Sequence, residues 1–216
     1  MKNGFTLAEV LITLGIIGVV AALTIPTLIS NYKKHVYYTQ FRKGANIIEN
    51  AFLLFESAVN DESCDMDEYK SGGCFIKALP NYVKGHLSDG ENELKKANYK
   101  ALNAEEIDFS EGYCGKEYCP FFTMINGFVT WYQAEDETIY IDTNGTSKGP
   151  NVYGRDLFSF SIQNEPILKL YWDGSKGSSE YFGINGNYWK ESTDCSSAGF
   201  GTFCAGRLIE EGKMNY

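Results

Sequence analysis

Val10–Ile29 reads VLITLGIIGVVAALTIPTLI, and no charged side chain occurs from Val10 through Tyr32. Coiled as an α-helix, these twenty residues span about 30 Å, the thickness of a bilayer's hydrocarbon core. A buried core helix is the competing reading, but such helices are seldom apolar on every face. Length, composition and terminal position together predict a membrane-spanning helix.

The flanks of this segment do not suit an ordinary secretory signal. Such a signal has a basic start, a shorter apolar run and small residues at a cleavage site behind it. Here the basic start is Lys2 alone, Glu9 stands at the head of the run, and Asn31-Tyr32-Lys33-Lys34 follows with no A-x-A site. A carboxylate at the edge of a membrane segment costs up to about 3 kcal/mol unless it finds a partner. Glu9 therefore calls for a function.

The leader Met1-Lys2-Asn3-Gly4-Phe5-Thr6-Leu7-Ala8-Glu9, followed by that apolar run, resembles the signal of type IV pilins and type II secretion pseudopilins. The resemblance covers about the first 30 residues. It implies that a prepilin peptidase cuts between Gly4 and Phe5 and that the new amino terminus of Phe5 is methylated. It makes Glu9 the glutamate that pairs, in a stack of helices, with the Phe5 amine of a neighbour. Each charge would then be neutralised in a low-dielectric core, and axial register fixed. Gly15, Gly18, Ala21 and Ala22 are small enough for close helix approach. Pro26 removes one backbone hydrogen bond inside the helix and stands where these filament helices kink or melt. The implied partners are homologous pilin or pseudopilin subunits, the peptidase, an inner-membrane assembly platform with its ATPase, and the membrane itself. The implied location is the bacterial inner membrane, crossed once with the C-terminal domain extracytoplasmic, and the filament after assembly.

Charge counting alone gives the opposite orientation. Lys2 and the amino terminus stand against Lys33, Lys34, Arg42 and Lys43, which would hold the C-terminal side in the cytoplasm. The resemblance places that side outside, and the cysteines agree with it.

Beyond the membrane segment the helical period continues. Phe41, Ala45, Ile48, Phe52, Phe55 and Val59 recur at steps of four and three, one apolar stripe ending at Asn60-Asp61-Glu62-Ser63. One helix over 5–59 is expected, its second half laid on a globular domain. Residues 60–118 read as short helical or loop pieces, with Ser71-Gly72-Gly73 and Asp89-Gly90 as turns. Phe121–Ile125 and Phe128–Tyr132 flank Asn126-Gly127, a strong hairpin signal. Thr138–Asp142, Leu157–Ile162 and Ile167–Trp172 supply three more strands. The class is α+β, an antiparallel sheet packed on a long N-terminal helix, the lollipop shape of pilins. The expected division is a leader at 1–4, a membrane and filament-core helix at 5–32, and a periplasmic or extracellular domain at 33–216.

Six cysteines fall into three local pairs, Cys64 with Cys74, Cys114 with Cys119 and Cys195 with Cys204. Sequence permits fifteen connectivities, and nearest-neighbour pairing is expected because each pair flanks a polar or Gly-containing loop. Zinc is the alternative, but neither His35 nor His86 lies near a second cysteine cluster. Disulfides place the domain outside the cytoplasm.

The loop Asp142–Asp156 carries the one candidate for a cofactor. Asp142, Asn144 and Asp156 are oxygen donors at spacings that resemble the opening of a calcium loop, without the glutamate that closes an EF-hand. Side-chain turns that merely order the loop are the competing reading. Asn144-Gly145-Thr146 also matches a glycosylation sequon. Tyr188 and Trp189, in a Gly- and Ser-rich stretch, suit local packing or contact with a partner or carbohydrate. Cys204–Met214 reads as a short helical or strand segment tied back through Cys204.

The remaining features exclude more than they suggest. A net charge of −9 excludes the chain as a whole from being a nucleic-acid scaffold. Two histidines and the absence of G-x-S-x-G, P-loop, G-x-G-x-x-G and H-E-x-x-H motifs point away from an enzyme. The reading is a pilin-like structural subunit of a type II secretion pseudopilus or a type IV pilus. The alternatives are a minor tip pilin that recognises a surface, DNA or a secreted protein, and a plain membrane-anchored extracytoplasmic domain.

Overall fold

The structure, a computed structural model, describes Gly4 and residues 6–58, 71–107, 109, 120–133, 138–164, 168–173 and 194–216. Helix α1 runs unbroken over Leu7–Ala58 and passes through Pro26. Its two halves have different surroundings. Up to Lys33 nearly every residue is exposed; partial cover begins at Lys34, and the core begins at Phe41. From there Phe41, Gly44, Ala45, Ile48, Ala51, Phe52 and Phe55 are buried, the expected stripe widened by two small residues. Val59 lies outside the described residues.

The stripe lies on a six-stranded antiparallel sheet built from β1 (Gly85–Asp89), β4 (Pro120–Met124), β5 (Val129–Gln133), β6 (Thr138–Asp142), β7 (Leu157–Asn164) and β8 (Leu168–Trp172). Their order is β1-β4-β5-β6-β7-β8. The Asn126-Gly127 turn joins β4 to β5, and Gly127 takes the positive φ of 87° that such turns require. A two-stranded ribbon, β2 (Tyr99–Lys100) with β3 (Glu106–Ile107), stands apart. Helices α2 (Ser71–Ala78), α3 (Glu91–Lys96) and α4 (Cys204–Glu211), with a short 3-10 helix at Leu79–Asn81, complete the described elements.

Two expectations are corrected here. Ser71-Gly72-Gly73 is the first turn of α2 and not a loop. A Cβ at Gly72 would stand 2.8 Å from Cε2 of Tyr132, so the glycine lets α2 lie close on the sheet. Residues 85–89 form the edge strand β1, and Gly90 then opens α3.

The sheet is covered on both faces. On one, Phe122, Met124, Tyr132, Ile139, Ile141, Phe158, Phe160 and Trp172 join α1, α2 and the α4 residues Ala205 and Leu208 in the main core. The Phe41 ring lies 4.5 Å from Phe158 and 5.3 Å from Trp172. Glu49 accepts the Trp172 Nε1–H at 3.0 Å, pinning α1 to the far edge strand. On the other face Phe121, Val129, Trp131, Tyr140 and Leu157 pack with Leu94, Tyr99, Phe109 and Tyr153. Trp131 stacks between Phe121 and Tyr140, at ring separations of 6.0 and 5.3 Å. Two apolar faces explain why these strands lack strict apolar–polar alternation.

Candidate functional site

The N-terminal end of α1 is where the sequence concentrates its chemistry. Thr6 is the N-cap, its carbonyl accepting the Val10 N–H at 3.2 Å. The backbone N–H and the hydroxyl of Thr6 both donate to Glu9 Oε2, at 2.8 and 2.7 Å. The Glu9 N–H donates back to Thr6 Oγ1 at 3.3 Å. This is a capping box: threonine at the N-cap and glutamate three residues on satisfy each other's open backbone donors. The signal was present as Thr6-x-x-Glu9, which sequence reasoning read only for its charge. Gly4 is exposed just ahead of the cap, while Met1–Asn3 and Phe5 lie outside the described residues.

From Leu7 to Ile29 the helix has no cover on any side. Leu11, Ile12, Ile16, Val19, Leu23 and Leu28 keep 61–73% of their surface exposed although they point in different directions. A Cβ added at Gly15 or Gly18 would meet nothing within 4 Å. So large an apolar surface is stable only in lipid or against other protein. Pro26 leaves the carbonyl of Ala22 without its usual helical donor, yet the helix continues on either side.

The Asp142–Asp156 loop draws together the three side chains expected there. Asp142 and Asp156 are fully buried. Asp142 Oδ1 accepts the N–H groups of Asn144 and Gly145 at 2.9 and 2.8 Å, and Oδ2 accepts the Tyr99 hydroxyl at 2.8 Å. Asp156 accepts the Val152 N–H on Oδ1 at 2.7 Å. Its Oδ2 takes the Asn151 N–H and the Asn144 side-chain amide, both at 2.9 Å. Burial, reinforced by the Asp156 charge, pushes the Asp142 carboxyl up to about 6, against the pull of these donors. Burial raises Asp156 as well, and Tyr99 is held far above its ordinary range by burial and by Asp142.

These carboxylates therefore serve as caps for the backbone of their own loop. Calcium asks for six to eight oxygens, and here both acids already accept three protein donors each. Asn144 Oδ1 and Asn151 Oδ1 remain buried without a donor, too few to make up a calcium shell. No group of three His, Cys, Asp or Glu able to hold a metal occurs among the described residues. The arrangement matches the loop-ordering alternative. Tyr99 and Asn151, distant in sequence or silent in pattern, were not foreseen as its members.

Cys195 and Cys204 form a disulfide, as the local pairing expected, with Cα atoms 5.1 Å apart. It ties the start of α4 to a loop organised by Asp194, whose carboxylate accepts the N–H groups of Phe200, Gly201 and Phe203. Cys74 is also disulfide-bonded. Cys64, Cys114 and Cys119 lie outside the described residues, as do Tyr188 and Trp189.

Residues 1–25 match the prokaryotic N-terminal methylation motif. No curated protein and no solved structure matches the chain. The motif sits on the capped start of the one described helix apolar and long enough to cross a membrane. That helix carries an α+β head of pilin-like architecture. In its first 25 residues the chain bears the signature of the type IV pilins and pseudopilins.

Proposed function

We propose that the chain is a structural subunit of a type II secretion pseudopilus or a type IV pilus, matured by a cut between Gly4 and Phe5. The carrying observation is the uncovered apolar half of α1, which the methylation motif enters through residue 25 and a single carboxylate heads. In the bilayer, lipid covers that half. Assembly replaces lipid with the helices of neighbouring copies, so polymerisation draws the subunit out of the membrane and the growing fibre can push or display cargo.

Glu9 has two partners in turn. Before assembly, Thr6 satisfies one of its oxygens and the capping box holds the first turn. After the cut, the Phe5 amine of a neighbour neutralises the charge and sets the axial register. Leader, membrane helix and head divide at 1–4, 5–32 and 33–216, and the onset of cover at Lys34 supports the second boundary. The disulfides support an extracytoplasmic head.

The mass of the N-terminal peptide, from protein recovered from its own cells, tests the reading. A peptide starting at Phe5 with one extra methyl group is the expected result. A peptide still starting at Met1, in cells with active prepilin peptidase, would reduce the chain to a membrane-anchored domain.

A further inference from the structure

Strand β1 is one open edge of the six-stranded sheet. Its register with β4 runs from Gly85 opposite Met124 to Asp89 opposite Pro120 without a skipped residue, so no bulge turns the edge away. The Ile125 N–H donates to the Lys84 carbonyl at 3.1 Å, which marks these two as a hydrogen-bonded pair. Bonded and non-bonded pairs alternate in an antiparallel ladder. His86 and Ser88 therefore aim their backbone groups at β4, and Gly85, Leu87 and Asp89 turn theirs outward. Among the described residues, none of those outward N–H and C=O groups has a backbone partner. Side chains alternate with the backbone. Leu87 packs on the main core, while His86 and Ser88 open on the other face into a polar hollow of about 480 Å³ that Thr123, Thr146 and Lys148 also line. Charge stands only at the two ends, on Lys84 and Asp89, both exposed and neither ion-paired among the described residues.

We propose that β1 takes up an extended segment of a different protein as a seventh strand, a binding function beyond the subunit reading above. Donors and acceptors that repeat at strand spacing are matched by another extended backbone, and the flanking side chains select its sequence. Added antiparallel, the more stable pairing, the segment sets apolar side chains beside Leu87 and hydroxyl-bearing ones beside His86 and Ser88. Its residue opposite Lys84 is acidic and its residue opposite Asp89 is basic. A second copy of β1 does not fit this edge. Antiparallel, it is related by a two-fold axis normal to the sheet. That axis reverses α1, which lies on the sheet, and points the two apolar halves in opposite directions, so one bilayer cannot hold both; this exclusion rests on the membrane-anchored reading. Parallel, it sets Lys84 beside Lys84 and Asp89 beside Asp89, like charge against like.

Amide hydrogen exchange, followed residue by residue by NMR on the full chain in micelles, tests the proposal. The probe is a capped peptide, Lys-Thr-Val-Thr-Val-Glu, with its charge-reversed form Glu-Thr-Val-Thr-Val-Lys as control. At saturation the first peptide should slow exchange at Gly85, Leu87 and Asp89 at least tenfold, with less than twofold change at His86 and Ser88. The control should bind at least tenfold more weakly. Leu87→Pro removes an outward donor and no bond to β4, which an edge strand tolerates, and should weaken binding at least tenfold. Lys84→Glu leaves the fold's contacts in place and should reverse the preference at that end, favouring a peptide with lysine at both termini. Exchange at Gly85, Leu87 and Asp89 that is already slow in the chain alone would mean that the chain covers its own edge and would overturn the proposal. Slowing that grows with protein concentration and needs no peptide would assign the edge to a second copy and overturn it as well. So would equal binding of the two peptides, or none. All of these leave the subunit reading standing, because that reading turns on the N-terminal cut.

Discussion

Thr6 and Glu9 satisfy each other across the first turn of α1, through two bonds to Glu9 Oε2 and one returned to Thr6 Oγ1. The glutamate therefore has two separable properties: it caps the helix and it carries a charge. Glutamine at the same position can still cap, since either residue completes a capping box. Glu9→Gln should accordingly keep the first-turn amides protected from hydrogen exchange in micelles yet abolish or strongly reduce filament formation. Thr6→Ala should do the reverse, costing about 1 kcal/mol of local helix stability while filaments persist. Normal filaments from Glu9→Gln would remove the charge pairing from the proposal.

The head is anchored to its stalk through Phe41, which is fully buried against Phe158 and Trp172. Phe41→Ala should destabilise the head by about 3–5 kcal/mol. Glu49→Ala removes the acceptor of the Trp172 indole and should cost about 1–2 kcal/mol. Urea unfolding of the full chain in detergent, followed by tryptophan fluorescence, measures both. An unchanged midpoint for Phe41→Ala would mean that α1 does not rest on the sheet as described.

How much of this was legible depends on the range of the interactions. The α1 stripe was readable because a 3.6-residue period is local, and the Asn126-Gly127 hairpin because its turn chemistry is local. Strand β1 was not, since Gly85-His86-Leu87-Ser88-Asp89 has no strand-forming pattern of its own. It becomes a strand only by pairing with β4, Leu87 opposite Phe122. At the site, Glu9 stood out as a charge against an apolar run. The Tyr99–Asp142 bond joins residues 43 apart in sequence, and no spacing rule reports such a contact.

Reduction of the Cys195–Cys204 bond should loosen the C-terminal part of the head. Replacing both cysteines by serine opens a nine-residue separation, which costs about 2–3 kcal/mol. Gly154→Ala should strain the same place from the other side: φ is +76°, and its Cβ would stand 2.8 Å from Cys204 Sγ. Thermal unfolding of the two variants should show both lower than the parent. Protease cutting confined to the α4 region would place the loosening there, and a midpoint equal to the parent's for the double serine variant would mean the bond stabilises nothing.

The buried acid pair gives the head a pH dependence whose sign is unusual for a carboxylate. Burial pushes the Asp142 carboxyl up to about 6 in the fold, from 3.8 for a free carboxyl. Its folded form thus holds a proton that the unfolded chain releases between these values. The stabilisation is complete below about 4 and is lost as pH rises through about 6, on the order of 3 kcal/mol in all. From this group alone, the head should gain stability as pH falls from 7.5 to 5. Asp142→Asn removes the titration while keeping the shape. Its carbonyl can accept from Asn144 and Gly145, and its amide can donate to the Tyr99 oxygen, which then serves as acceptor. The variant should match or exceed the parent at pH 7.5, and the difference should shrink on acidification. Paired denaturant titrations at pH 5 and 7.5 measure it. A variant weaker than the parent by the same amount at both pH values would show that the Asp142 charge is not what the fold works against.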